Sequence, residues 1–316
     1  NAMLTLMADA EHPGTIVDIP RIFTDTEFQK YKVGKVTDSV VRAFWEKEMA
    51  KTSDFHKSEM LGYLISKVGR FVENSMMRNI VGQPKSSFNF REVMDGRKIL
   101  LVNLAKGKVG EMNAKLLGLI LVSKIQMAAM SRADIPEDQR VDFYLYVDEF
   151  QNFITDAFSS ILSEARKYKL NLVIGHQFLG QLEQAAGAQG AGSKELRDAV
   201  FGNTGSMVTF RIGVEDAETM AKEYAPVFND FDLLNVDRYN AFVKLMINGT
   251  ASKPFNMATY PLDKPTAEQK NTAEAIRQLS RLKFGRPRAE VESEILEASN
   301  IAEMMAAGQA TTEKTL

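Results

Sequence analysis

The sequence predicts an α/β chain, with an all-helical region of about 80 residues followed by strands and helices that alternate to build a mostly parallel sheet. Three observations carry this. Up to about residue 80 apolar residues recur at three- and four-residue steps, with no strand pattern between them. From residue 88 short apolar runs alternate with helical stretches, the order that yields parallel strands. One of those runs, Tyr144-Leu-Tyr-Val147, reads as a buried strand ending in two adjacent carboxylates, Asp148 and Glu149.

Taken in order, Asn1-Ala2-Met3 (residues 1–3) reads as a tag remnant, a protease scar before an initiating methionine, and is set aside. The chain then starts abruptly, which suggests a piece of a longer protein. Residues 4–87 form the helical subdomain. In it Val40, Val41, Phe44 and Trp45, then Leu61, Leu64, Ile65, Val68, Phe71 and Val72 recur at three- and four-residue steps, the spacing of helices. Thr24-Asp25-Thr26-Glu27 and Thr37-Asp38 are suited to start helices, because short side-chain oxygens accept from free backbone N–H groups. Residues 88–262 form the α/β part. Lys98 to Leu104 is a continuous apolar run suited to a strand covered on both faces, with Gly107 and Gly110 in the loop after it.

A helix over 113–130, apolar on most sides, leads to the strand 143–148. A helix over 156–168 then precedes the strand 170–174. Helices are predicted over 195–201 and 214–224, strands over 205–211 and 239–248, the last as an edge strand or hairpin arm. Residues 263–316 form a helical extension and tail, with helices over 266–282 and 290–305. Arg277, Arg281, Lys283, Arg286 and Arg288 cluster there, either as a basic surface or as an ordinary solvated face.

Composition bounds the function. With 45% hydrophobic and 25% charged residues the chain is an ordinary globular protein. It has no cysteine, so disulfides and thiolate metal sites are excluded, in keeping with a cytoplasmic location. No apolar run reaches the roughly 20 residues of a membrane span. A net charge of −2 argues against a globally basic nucleic-acid binder.

Parallel sheets collect ligands at the carboxyl ends of their strands. Asp148 is placed there to hold a water-coordinated Mg²⁺ beside nucleotide phosphates, and Glu149, one residue further, to orient or deprotonate a water. A solvated acidic pair ending a strand is the alternative. The next strand ends Ile174-Gly-His176-Gln177, so the Gln177 amide meets the same sheet edge, either to bond a phosphate oxygen and the lytic water or to satisfy loop backbone. His176 has no metal-ligand spacing around it and reads as structural. Arg166, at the end of the intervening helix, suits phosphoryl-charge stabilisation or, equally, a helix C-terminus. Arg211 is a weaker candidate for the same work. The phosphate-cradling Gly-x-x-x-x-Gly-Lys-Ser/Thr occurs nowhere. Val81-Gly-Gln-Pro-Lys85-Ser86-Ser87 is no substitute, since it has one glycine and a proline without an N–H.

Together Gly82-Gln-Pro-Lys-Ser, Ile99-Leu-Leu-Val-Asn-Leu-Ala-Lys-Gly-Lys, Tyr146-Val-Asp-Glu-Phe-Gln-Asn-Phe, Ser163-Glu-Ala-Arg-Lys-Tyr and His176-Gln177 resemble the TraD/TraG-type conjugative coupling ATPases. These belong to the HerA/FtsK branch of RecA-like P-loop motors. The resemblance spans most of residues 15–290. It implies the second half of a RecA-like P-loop NTPase domain, preceded by the helical insertion that separates the Walker A and Walker B halves in that family. It further implies ATP and Mg²⁺ in the intact protein, with Asp148 and Glu149 as the Walker B pair. Gln177 corresponds to the glutamine after the next strand, and Arg166 to the arginine supplied in trans.

The implied assembly is a hexameric ring that moves DNA without sequence preference and meets relaxosome or type IV secretion components at the cytoplasmic face of the inner membrane. Without a Walker A loop the chain itself is expected to lack tight nucleotide binding. Two rivals stand beside this reading. One is a HerA-type helicase of DNA repair, and the other is a non-enzymatic module that recognises relaxosome or secretion proteins.

Overall fold

The computed structural model describes residues 1–153, 161–162, 164–185 and 192–298. The contacts divide the chain at residue 87/88 and again at 267/268. Residues 88–267 form the α/β unit, and the helices on either side in sequence form the other.

The helical unit contains α1 (Ala2–Met7), α2 (Ile19–Thr24), α3 (Thr26–Gly34), α4 (Ser39–Ala43), α5 (Asp54–Val72) and α6 (Ser75–Val81). Its helix starts are chemically defined. The Asp25 carboxylate accepts from the backbone of Glu27 and Phe28, and Asp38 does the same for Val40 and Val41. Its core gathers Leu6, Ile19, Ile22, Phe28, Trp45, Met49 and Val68, and the Trp45 indole donates to Thr5 Oγ1 at 2.7 Å. Buried Lys32 pairs with buried Asp9 at 3.0 Å. Burial alone would raise the Asp9 carboxyl, but hydrogen bonds from Lys32 and Tyr31 outweigh it and leave it below its usual value. Burial and the Asp9 carboxylate push Tyr31 up to about 12.

The α/β unit begins with α7 (Phe90–Asp95), α8 (Lys106–Val109) and α9 (Glu111–Met130). Two parallel strands follow, β1 (Phe143–Val147) and β2 (Leu170–Ile174), in register from Phe143↔Leu170 to Val147↔Ile174. Next come α10 (Gly180–Ala185), α11 (Gly192–Asn203), β3 (Met207–Thr209), α12 (Val214–Tyr224), α13 (Asp230–Leu234), β4 (Asn240–Lys244), β5 (Met246–Ile247), β6 (Thr250–Ala251) and β7 (Phe255–Ala258). β3-β4-β7 is a separate antiparallel sheet, and β5 and β6 form a small hairpin. Beyond residue 267 lie α14 (Ala267–Phe284) and a helical stretch over 288–298.

Four expectations need correcting. Among the described residues the parallel pairing is that of β1 with β2, and β3, β4 and β7 pair antiparallel, so the sheet there is not mostly parallel. Of the two readings of Tyr239 to Asn248, the hairpin arm holds for Met246–Ile247, which pairs with Thr250–Ala251, and the edge strand does not hold. β4 is the central strand of its sheet, with Ala241, Phe242 and Val243 all buried. Lys98 to Leu104 forms no strand. It has no ladder partner among the described residues, Ile99 and Leu101 are 88% and 82% exposed, and with β1 it lines a cavity of about 1640 Å³. β1 itself is covered on one face only, since Tyr144 and Tyr146 are exposed while Val147 is buried.

The helix predicted over 156–168 lies partly outside the described residues, and its final turn (Ala165–Tyr168) is a 3₁₀ helix. Residues 299–305 of the predicted last helix also lie outside them. The basic cluster is partly neutralised locally. Arg277 pairs with Glu274 at 3.1 Å, Arg288 with Glu292 at 2.7 Å, and Arg286 with Glu294.

Two features set the site's frame. The first is α9, which with the 3₁₀ turn after it makes a helical stretch, Glu111–Asp134, that by length and composition alone could cross a membrane, its most apolar 18 residues having a mean hydropathy of 1.4. In the α/β unit its stripe Ala114, Gly118, Val122, Ile125 and Ala129 is buried. Gly118 is required there, because a Cβ would lie 2.1 Å from the Phe153 ring. The second is Arg132, fully buried. It donates to Asp95 at 2.9 Å and to the carbonyls of Val141 and Tyr168 at 3.0 Å each, so it ties the amino-terminal ends of β1 and β2 together. Arg132→Ala takes the donor from the half-buried Val141 and Tyr168 carbonyls and leaves Asp95 with Arg91 alone, and is expected to destabilise the unit by about 2–4 kcal/mol. A urea midpoint equal to that of the unchanged protein would refute this role.

Candidate functional site

Three of the four sequence-predicted site residues converge at the carboxyl end of β1 and β2. The two strands stay tied past their ends, with Gly175 N–H donating to Val147 at 2.9 Å and Phe150 N–H to Gly175 at 3.0 Å. Phe150 is fully buried and anchors a 3₁₀ turn, Phe150–Phe153, beneath the site.

Asp148 is exposed, and its Oδ1 accepts from Glu149 N–H at 2.9 Å. Glu149 departs from the strand with φ of +50°, in the left-handed region that side chains other than glycine's enter at a cost. Both its oxygens are taken by amides. Gln177 Nε2 donates to Oε1 and Gln151 Nε2 donates to Oε2, each at 2.6 Å. Asn152 closes the turn, giving its backbone N–H and its side-chain Nδ2 to the Glu149 carbonyl at 3.0 Å each. Lys106 Nζ reaches Asn152 Oδ1 at 3.5 Å and Glu111 at 3.6 Å, which places a cation on the same rim.

On the β2 side Gln181 Oε1 accepts from Gln177 N–H at 3.1 Å, and Leu179 N–H donates to Asp216 at 3.0 Å. The segment carrying Gln177 is thereby set by α10 and α12. His176 is partly buried, and burial, only partly offset by a backbone hydrogen bond and the Asp216 charge, lowers its pKa below the usual histidine value. At neutral pH it is therefore an uncharged imidazole, in keeping with a structural role.

Arg166 is not part of this cluster. It lies in the 3₁₀ turn that precedes β2, at the amino-terminal end of the sheet. Five strand residues at about 3.3 Å each place it roughly 17 Å or more from the carboxylates. That turn is held by Arg132 on the Tyr168 carbonyl and by Arg140, which bonds the Lys167 carbonyl and stacks 5.4 Å over the Tyr168 ring. The Arg166 guanidinium is exposed and has no hydrogen-bond or ionic partner among the described residues. Arg211 lies just beyond β3, on the antiparallel sheet, and is exposed.

The donor set fits a hydrated divalent cation beside a nucleotide only in part. Asp148 offers an exposed carboxylate at a ligand-collecting edge and Gln177 an amide, but the sequence holds no phosphate-cradling glycine loop. Gln151 and Asn152 were not singled out from sequence. Their one signal was a pair of amides directly after the acidic pair, in Asp148-Glu-Phe-Gln-Asn152.

No protein-family model and no curated protein matches the chain. Among solved structures it is similar to the plasmid coupling protein TrwB in complex with the GTP analogue GDPNP. The TM-score is 0.55 and the identity 14%, over 83% of this chain and 61% of that one. It is also similar to TrwB with ADP and Mg²⁺ (TM-score 0.56, 13% identity, 84% and 63% covered). A third similar structure is the sulphate complex of a TrwB variant described as a bacterial conjugative coupling protein (TM-score 0.54, 15% identity, 84% and 63%). The chain thus spans about three-fifths of the length of the structures it matches. Over most of its residues it shares the fold of the TrwB coupling-protein structures.

Proposed function

We propose that this chain is part of a TraD/TraG-type coupling ATPase, a motor that uses ATP hydrolysis to move DNA, with the rim of β1 and β2 as half of its hydrolytic site. The observation that carries this is the convergence of Asp148, Glu149 and Gln177 at the carboxyl ends of two parallel strands, on a fold shared with a coupling protein solved with ADP and Mg²⁺.

In this reading Asp148 would hold Mg²⁺ through water, and the ion would supply positive charge beside the phosphates. Glu149 takes the proton of the attacking water as the water oxygen bonds the γ-phosphorus and the bond to the ADP oxygen breaks. Gln177 bonds the γ-phosphate and reports its loss. Arg166, too far to serve its own rim, serves the site of the next subunit. That arrangement requires a ring with head-to-tail interfaces, which we assign as a hexamer. DNA is gripped through its phosphates, so binding weakens as salt rises. Relaxosome and type IV secretion components are the proposed partners. The proposed location is the cytoplasmic face of the inner membrane.

The test compares two proteins. The full-length protein is expected to hydrolyse Mg²⁺·ATP, faster when DNA is added. The 316-residue chain alone is expected to show no turnover, since its sequence lacks the phosphate-cradling loop. Robust turnover by the isolated chain, or none by the full-length protein with DNA, would sink the proposal.

A further inference from the structure

Two separate energetic penalties meet at Glu149. Its backbone sits at φ +50°, in the left-handed region that an L-residue enters at a cost. Beside it the amide of Gln151 gives its Nε2 to Glu149 Oε2 at 2.6 Å, while its own Oε1 is buried and without a partner among the described residues. Rotating that amide would bring its oxygen against a carboxylate, so the bond to Glu149 dictates the orientation and leaves the oxygen stranded. A stranded buried acceptor has given up its hydrogen bonds to water and gained none in return. Strain and stranded polar groups of this kind mark places where a geometry is held for a purpose.

The two amides on Glu149 are not equivalent. Gln151 belongs to the 3₁₀ turn anchored by buried Phe150, tied to β2 through Gly175 and closed by the two Asn152 bonds. Gln177 is exposed, on the segment that leaves β2. One oxygen is therefore gripped from a fixed platform, and the other by a side chain free to turn to another acceptor.

We propose that Gln151 is the positioning residue of Glu149, holding Oε2 in place so that Oε1 is the oxygen that receives a water when Gln177 turns away. With both amides engaged each Glu149 oxygen has one lone pair committed, so the position on Oε1 that Gln177 holds is closed to water, and the rim rests in a latched state. Entry of a phosphate acceptor draws Gln177 off Oε1 and releases it. This rests on the ATPase reading above and adds a residue to it.

Gln151→Met tests it in the full-length protein, because methionine matches the length of glutamine, removes the donor and also removes the stranded oxygen. Its melting temperature is expected to equal or exceed that of the unchanged protein, and its affinity for a non-hydrolysable ATP analogue and its KM to stay within about twofold. Its kcat is expected to fall by roughly 10–100-fold, the scale on which a loosened reacting group loses rate. Gln151→Glu, with a second carboxylate facing Glu149, is expected to fall at least as far. A merely structural role predicts instead that kcat follows the melting temperature. If Gln151→Met keeps kcat within twofold while Glu149→Gln is inactive, the positioning role is wrong and the ATPase reading stands. If Glu149→Gln itself hydrolyses ATP, it is the underlying reading that fails.

Discussion

Glu149→Gln in the full-length protein is expected to bind ATP as tightly as the unchanged protein and to hydrolyse it about 10²–10⁴-fold more slowly, the usual contribution of a positioned general base. The substitution keeps the volume and one acceptor oxygen, and removes the group that takes the proton. In this fold it also turns an amide toward two others. Gln151 and Gln177 both donate to Glu149 now, and a glutamine there can accept from one and must turn its own N–H₂ toward the other. The lost hydrogen bond costs about 1 kcal/mol, too little to unfold a domain. Loss of turnover with analogue affinity preserved is therefore the expected pattern, measured by phosphate release beside equilibrium binding. Turnover within tenfold of the unchanged protein would remove Glu149 from its proposed role.

Arg166→Ala is expected to lower kcat by about 10³-fold or more in the assembled protein, the range in which a charge-stabilising arginine acts on phosphoryl transfer. The case is geometric. An extended arginine side chain reaches roughly 7 Å from its Cα by covalent geometry, well short of the ~17 Å along β1 and β2 to the rim of its own subunit. Its guanidinium projects into solvent from a turn that Arg132 and Arg140 hold by the carbonyls of Tyr168 and Lys167. A helix-end cation, the competing explanation, predicts a different pattern. Removing it would cost a few tenths of a kcal/mol to about 1 kcal/mol of stability and leave kcat alone. Comparing kcat with the melting temperature in the same variant separates the two.

How far the sequence foretold this structure depends on what each residue's role rests upon. β1, β2 and α12 fall within a residue of their predicted bounds, since the period of apolar residues is a local property and these segments obey it. Asp148, Glu149 and Gln177 were legible for the same reason: parallel strands deliver their last residues to one edge. The failures are non-local. Ile99 to Leu104 has a strand's composition but no ladder partner among the described residues, and periodicity cannot supply a neighbour. Alternation also does not tell parallel from antiparallel pairing, so β3-β4-β7 read as a continuation of the parallel sheet.

Gln151 was invisible for a subtler reason. It meets Glu149 only because Glu149 adopts a left-handed backbone, which a glutamate in sequence does not announce. The distance between Arg166 and the rim likewise follows from strand length and direction, once the parallel pairing is known.

In the proposed motor one subunit's β1–β2 rim works with the neighbouring subunit's Arg166. The most direct test mixes two inactive full-length proteins, Glu149→Gln and Arg166→Ala, under conditions that exchange subunits. In mixed rings an Arg166→Ala subunit keeps its own Glu149 and receives Arg166 from a Glu149→Gln neighbour, so ATP turnover is expected to rise well above that of either protein alone. A mixture as inactive as its two components, with mixed assemblies shown to form, would contradict the account.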